Sequence, residues 1–182
     1  MEQPIITING NQVAFEPGET ILEAAGRNHV DIPTLCHLTT TQPTKTCGVC
    51  VVEVQGSSDL VEACATLAVP GMIVRTESLR VIQARREKIK RFLASGHHNC
   101  AVREMDPSDW TSFQLKVMKN DAKEDLCPVW GSCELQDLAY RYQVRTRLEP
   151  STDTRYPTER ANPFIIRDFS RCILCGRCVK AC

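Results

Sequence analysis

The chain has no net charge: twenty-two Lys and Arg residues stand against twenty-two Asp and Glu. No global field therefore recommends nucleic acid or an anionic membrane as a partner. Met1, Glu2, Gln3 and Pro4 form no basic region ahead of an apolar stretch, so no secretory leader is expected. No run approaches the roughly 18 apolar residues of a spanning helix. These absences read as a protein that is cytoplasmic, or soluble beside a membrane, and does not span one. There is no repeat of solenoid period either. With 42% apolar and 24% charged residues, the composition is that of a globular chain able to bury a core.

Against these absences stand eleven cysteines. Thiols are kept reduced in the cytosol, so without an export signal a disulfide framework is disfavoured, and the odd count disfavours it further. Metal or redox chemistry is the remaining explanation.

Residues 5–8 and 13–15 are apolar runs flanking Asn9-Gly10, a pair that readily takes positive φ, and they predict a β-hairpin. Pro17-Gly18 ends the strand. Thr20 and Glu23 then form a capping box for a short helix reaching about Asn28. Strands are expected at 49–54 and 72–75, after a loop rich in Thr and Pro. Leu79, Ile82, Ile89, Phe92 and Leu93 describe an amphipathic helix over 79–94. The cations among them, Arg85, Arg86, Lys88, Lys90 and Arg91, read as its solvated face, with docking of an acidic partner as the lesser alternative. A short helix at 110–118 looks inserted, and 149–157 reads as a linker.

The first cysteine group is Cys36, Cys47, Cys50 and Cys64, four thiols within one expected module. Four thiolates suit a [2Fe–2S] cluster. The Cys-x2-Cys pair and distant fourth ligand match the plant-type pattern, although ten residues rather than four separate the first two cysteines. A closed four-cysteine zinc site is the rival. The strand, helix, strand order suits a β-grasp sheet, and Gly48 leaves backbone amides free to approach sulfur; both favour iron. Ile32-Pro33-Thr34-Leu35-Cys36, Cys47-Gly48-Val49-Cys50 and Ala63-Cys64 resemble the N-terminal [2Fe–2S] domain shared by the large iron–sulfur subunit of respiratory complex I, NAD-linked and iron-only hydrogenases, and formate dehydrogenases.

The second group is Cys100, with His97 and His98 before it, and then Cys127 and Cys133. The resemblance implies a [4Fe–4S] cluster held by one His and three Cys, usually spaced His-x3-Cys-x2-Cys-x5-Cys. The Cys127-x5-Cys133 half and its Glu134-Leu135-Gln136 tail match that pattern. The first half departs from it, with Gly96 in place of the His and Arg103 in place of the second Cys, which points to an insertion at about 101–126. His98 is the preferred ligand and His97 the alternative. A zinc site of three cysteines and one histidine would use the same atoms.

The third group, Cys172, Cys175, Cys178 and Cys182, has the bacterial ferredoxin spacing Cys-x2-Cys-x2-Cys-x3-Cys. The fourth cysteine of such a run normally serves the other cluster of a pair, so the run reads as cut short. One cluster held by all four is the alternative. The preceding 162–168 segment is closer in character to formate dehydrogenases and iron-only hydrogenases than to complex I.

The expected fold class is therefore α+β. It comprises a β-grasp [2Fe–2S] ferredoxin domain over 1–78, a small helical [4Fe–4S] domain with one His and three Cys ligands over 79–150, and the start of a bacterial-ferredoxin-like [4Fe–4S] domain over 151–182. No Gly-rich nucleotide loop, molybdenum-pterin site or hydrogenase active-site cysteine set is legible, so no catalytic residue is assigned. The resemblance implies an electron-transfer component of an oxidoreductase complex, carrying a [2Fe–2S] cluster and one or two [4Fe–4S] clusters. Its implied partners are a flavin- and NAD(H)-reacting subunit and a catalytic oxidoreductase subunit. Two rivals remain: the N-terminal part of a formate dehydrogenase or hydrogenase catalytic chain, and a zinc-stabilised interaction module.

Overall fold

Asn9 and Gly10 both take positive φ, 51° and 87°. That geometry matches the right-handed twist of the strands on either side, so the chain reverses in two residues. The computed structural model describes residues 3–38, 45–94, 132–144, 158–169 and 172–181. Strand β1 (Ile5–Ile8) pairs antiparallel with β2 (Asn11–Ala14), Ile8 opposite Asn11. The Asn9 side chain ties the turn to Thr76, 67 residues along the chain: its Nδ2 donates to Thr76 Oγ1 (2.7 Å), and Thr76 N–H donates to its Oδ1 (2.9 Å).

Helix α1 (Ile21–Arg27) begins at the expected capping box, in which Glu23 N–H donates to Thr20 Oγ1 (3.2 Å) and Thr20 N–H to Glu23 Oε2 (2.8 Å). The Thr20 N–H and the Thr20 hydroxyl, which also donates to Glu23 Oε2 (2.8 Å), favour the ionised Glu23 and lower its pKa from the ordinary 4.5. The box therefore contributes its full stability above about pH 4.5 and loses it as the pH falls through the lowered value. Strands β3 (Val51–Val54), β4 (Val61–Glu62) and β5 (Ile73–Arg75) complete a sheet of order β2-β1-β5-β3-β4. The β1·β5 pair is parallel and the others are antiparallel. A parallel pair needs a long crossover, which here contains α1 and the first cysteine group. This is the expected β-grasp arrangement. Strand β4 is too short to register as a periodic run, and sequence alone did not suggest it.

Ile6 and Ile8 are wholly buried while Ile5 faces outward, the period-two alternation of a sheet covered on one face. Ile21, Ala24 and Ala25 bring α1 onto that face, where they join Val13, Phe15, Val52 and Val74. Cys50 and Cys64 belong to the same core.

Helix α2 (Leu79–Ala94) has the expected bounds but a different buried stripe. Val81, Arg85, Ile89 and Leu93 are buried, whereas Leu79 is exposed. The expectation that Arg85 lies on a solvated face is thus corrected: the side chain has no exposed surface, because backbone carbonyls and a carboxylate take up its donors.

The chain falls into two compact units, Met1–Lys88 with Cys175–Cys182, and Ile89–Leu174. Within the second, α3 (Glu134–Arg141) buries Leu135, Leu138 and Ala139 at helical spacing, with Tyr142 and Val144 buried beyond its end. Strands β6 (Thr158–Glu159) and β7 (Arg167–Asp168) form a small antiparallel ladder. Helix α4 (Arg177–Ala181) lies in the C-terminal cysteine run. The expected helix at 110–118, the insertion at 101–126 and the linker at 149–157 lie outside the described residues. No helix among the described residues is long and apolar enough to cross a membrane.

Candidate metal centre

The four cysteines of the first group are delivered by three separate devices. Cys36 follows the buried Ile32 and Leu35, which fix the crossover against the core. Cys47 and Cys50 flank a turn in which Gly48 takes φ +60°, and Cys50 leads directly into β3. Cys64 sits in a tight turn after β4, where the Ala65 and Thr66 N–H groups both donate to the Glu62 carbonyl.

That last turn is held by the start of α1. The first N–H groups of a helix have no partner within it, and here Ile21 N–H donates to the Thr66 carbonyl (2.9 Å) and Leu22 N–H to the Ala63 carbonyl (3.0 Å). Ala63 N–H in turn donates to the Cys50 carbonyl (3.1 Å). One network thus satisfies a helix terminus and fixes Cys64 relative to Cys50.

All four thiols are buried, and they fall into two pairs. The sulfurs of Cys50 and Cys64 lie 3.4 Å apart, and the Cys47 thiol is set beside Cys36, to which it donates. Backbone donors also reach these sulfurs, from Val49 (3.5 Å) and Leu35 to Cys47 and from Cys64 to Cys50. Among the described residues no three His, Cys, Asp or Glu side chains converge as a single-ion site. A two-by-two arrangement of thiols suits two irons with two protein ligands each.

Burial pushes the Cys47 thiol up to about 11. The Cys50 thiol is raised by its hydrogen bond to Cys64 and then by burial, and the Cys64 thiol is lowered because it accepts that bond. Buried thiolates without a cation are costly. Iron would supply the missing positive charge, while the N–H groups aimed at sulfur would stabilise the anionic ligands. The donor set therefore fits a [2Fe–2S] cluster.

Gly48 makes a specific demand. A Cβ added there would lie 3.1 Å from Lys88 Cε, a movable side-chain end, so the positive φ is the larger obstacle. Gly48→Ala is expected to destabilise the first unit by about 1–2 kcal/mol, measured as a lower urea midpoint for the full chain.

Of the second group only Cys133 is described; His97, His98, Cys100 and Cys127 lie outside the described residues. Cys133 is half-buried and is the N-cap of α3, its carbonyl accepting from Asp137 N–H (3.0 Å). In the third group Cys172 and Cys178 are exposed and Cys175 is half-buried, while Cys182 is outside the described residues. Leu174 N–H donates to Cys172 Sγ (3.4 Å), with Leu174 and Gly176 both at positive φ. The Thr46 hydroxyl, beside Cys47, donates to the Cys175 carbonyl (3.3 Å).

Two residues close to the first group escaped the sequence reading. Arg85 donates from Nε to the Val49 carbonyl (3.0 Å) and from Nη2 to the Val51 carbonyl (2.9 Å), on either side of Cys50. Lys88 lays the end of its side chain against Gly48. A signal existed for the first: Arg85 lies four residues from both Val81 and Ile89, in the buried register of α2.

Two stretches of the chain match families of known proteins. Residues 3–78 match the 2Fe-2S iron-sulfur cluster binding domain family, and residues 165–182 match the 4Fe-4S binding domain family. The chain is 34% identical to NADP-reducing hydrogenase subunit HndD of Solidesulfovibrio fructosivorans, over 100% of this chain and 28% of that protein. It is 32% identical to an NADH-quinone oxidoreductase subunit of Rhizobium meliloti, over 97% of this chain and 18% of that protein. A crystal structure of NAD+-reducing [NiFe]-hydrogenase in the H2-reduced state superposes with a TM-score of 0.72 at 28% identity, covering 99% of this chain and 66% of that one. The chain thus spans well under a third of the length of the two relatives.

Proposed function

We propose, since the chain carries the iron–sulfur region shared by hydrogenase subunits, formate dehydrogenases and an NADH-quinone oxidoreductase subunit, that it relays electrons between a flavin- and NAD(H)-reacting partner and a catalytic oxidoreductase centre. The observation that carries this reading is the paired burial of Cys36 with Cys47 and of Cys50 with Cys64 inside a β-grasp core. These four are assigned as ligands of the [2Fe–2S] cluster. His98, with His97 as alternative, and Cys100, Cys127 and Cys133 are assigned to a [4Fe–4S] cluster, and Cys172, Cys175, Cys178 and Cys182 to the C-terminal [4Fe–4S] motif. The three domains are placed at 1–78, 79–150 and 151–182.

Bound clusters supply one-electron redox chemistry at potentials set by ligands, hydrogen bonds and exposure. The chain's own part is to bury the first group from water, to aim the Leu35, Val49 and Cys64 amides at sulfur, and to keep the C-terminal run near the first group. The bond from Thr46, beside Cys47, to Cys175 supports such proximity. The protein is placed in the cytoplasm, where eleven cysteines remain reduced. A second setting, the N-terminal part of a hydrogenase-type or formate-dehydrogenase-type catalytic chain, is favoured by the share of the longer relatives that is matched.

Anaerobic electron paramagnetic resonance during stepwise reduction tests the reading. A brown protein with one [2Fe–2S] signal and separate [4Fe–4S] signals is expected. A colourless protein containing zinc and no acid-labile sulfide would refute it.

A further inference from the structure

Arg85 interrupts an otherwise apolar stripe of Val81, Ile89 and Leu93. Leu or Met would continue that stripe without the desolvation cost of a buried cation. The side chain instead places its planar fork on the Val49 and Val51 carbonyls, while Nη1 donates to Glu77 Oε1 (2.9 Å). A trans peptide carries its N–H opposite its C=O, so holding the Val49 carbonyl also sets the direction of the Cys50 amide. Glu77, whose side chain is 41% exposed, offsets the charge from the solvent side. One turn further along α2, Lys88 brings a second cation to Gly48, between Cys47 and Cys50.

We propose that α2 is the element that tunes the [2Fe–2S] centre: Arg85 positions the Cys50 segment, and Arg85 and Lys88 together favour the reduced state, with Glu77 moderating them. The proposal rests on the assignment of Cys36, Cys47, Cys50 and Cys64 as ligands. Reduction adds one electron and hence one negative charge to the centre. A neighbouring cation stabilises the reduced form more than the oxidised form, and a neighbouring carboxylate does the reverse. Arginine stays charged at any working pH and its fork fits two acceptors, which lysine cannot reproduce.

The test is an anaerobic dithionite titration of the full chain, following the [2Fe–2S] resonance. At the wild-type midpoint, Lys88→Gln should lower the reduced-to-oxidised ratio and Glu77→Gln should raise it. Each change approaches about tenfold, or about 59 mV for a one-electron couple. Arg85→Lys keeps the charge and loses the fork, so cluster occupancy should fall severalfold while the midpoint of the remaining centres stays near wild type. Unchanged midpoints in both charge variants, or shifts of the same sign, would overturn the tuning role. Full occupancy in Arg85→Lys would overturn the positioning role. A wild-type protein with no [2Fe–2S] resonance would overturn the ligand assignment itself, and the proposal with it.

Discussion

Cys64→Ser is expected to abolish the [2Fe–2S] resonance of the full chain while leaving the [4Fe–4S] signals in place. Cys64 is the sulfur that accepts from Cys50, and it completes that buried pair of assigned ligands. A serine hydroxyl fits the same buried turn but is a far weaker acid and a harder ligand, so one of the two pairs loses half its donors. The turn itself should survive, because α1 holds it through the Ala63 and Thr66 carbonyls and not through the side chain. Near-wild-type helicity by circular dichroism would show that the loss is of a ligand and not of the fold. The reciprocal variant, Cys127→Ser, should remove one [4Fe–4S] signal and spare the [2Fe–2S] signal. Loss of both signals from either variant would contradict separate sites.

The second large effect is expected at Ile8→Ala. Ile8 is wholly buried on β1, an inner strand between β2 and β5, and it belongs to the core cluster that includes Cys50 and Cys64. Truncating such a side chain removes its transfer energy and leaves a cavity, at a cost of about 2–5 kcal/mol. Domains of this size hold only about 5–15 kcal/mol. Urea unfolding of the full chain should therefore show a much lower midpoint for the β-grasp transition. Ile5→Ala, on the exposed face of the same strand, should stay within about 0.5 kcal/mol of wild type. Equal losses at the two positions would contradict the observed alternation.

Local chemistry made much of the fold legible in sequence. Asn9-Gly10 announced the hairpin by its tolerance of positive φ, Thr20 and Glu23 announced the helix start, and the period of the apolar residues marked out α2 to the residue. Strand β4 and the β6·β7 ladder were hidden because two residues carry no period. Cysteine spacing identified the first group, yet it could not show that Cys36 pairs with Cys47 and Cys50 with Cys64. The Cys50–Cys64 contact follows from the β3·β4 register and the hold of α1 on Ala63, neither of which cysteine spacing reveals. Arg85 was misplaced because a charged residue on an amphipathic helix is usually solvated, and only the carbonyls of a distant strand reverse that preference.

The parallel pairing of Thr7 with Ile73 carries a consequence for maturation. All four cysteines of the first group lie on the segment between those two residues, and the core that buries Cys50 and Cys64 includes Ile6, Ile8 and Val74, so that burial is incomplete until the ends of the long loop have met. Non-local closure of this kind is slow compared with local turns. Before closure, the nearest sulfurs along the chain are Cys47 and Cys50, which the folded protein assigns to different pairs. Iron reaching the chain early would meet the wrong partners, whereas iron reaching the closed sheet would meet the right ones. Burial of these sulfurs in the core thus follows closure of the sheet.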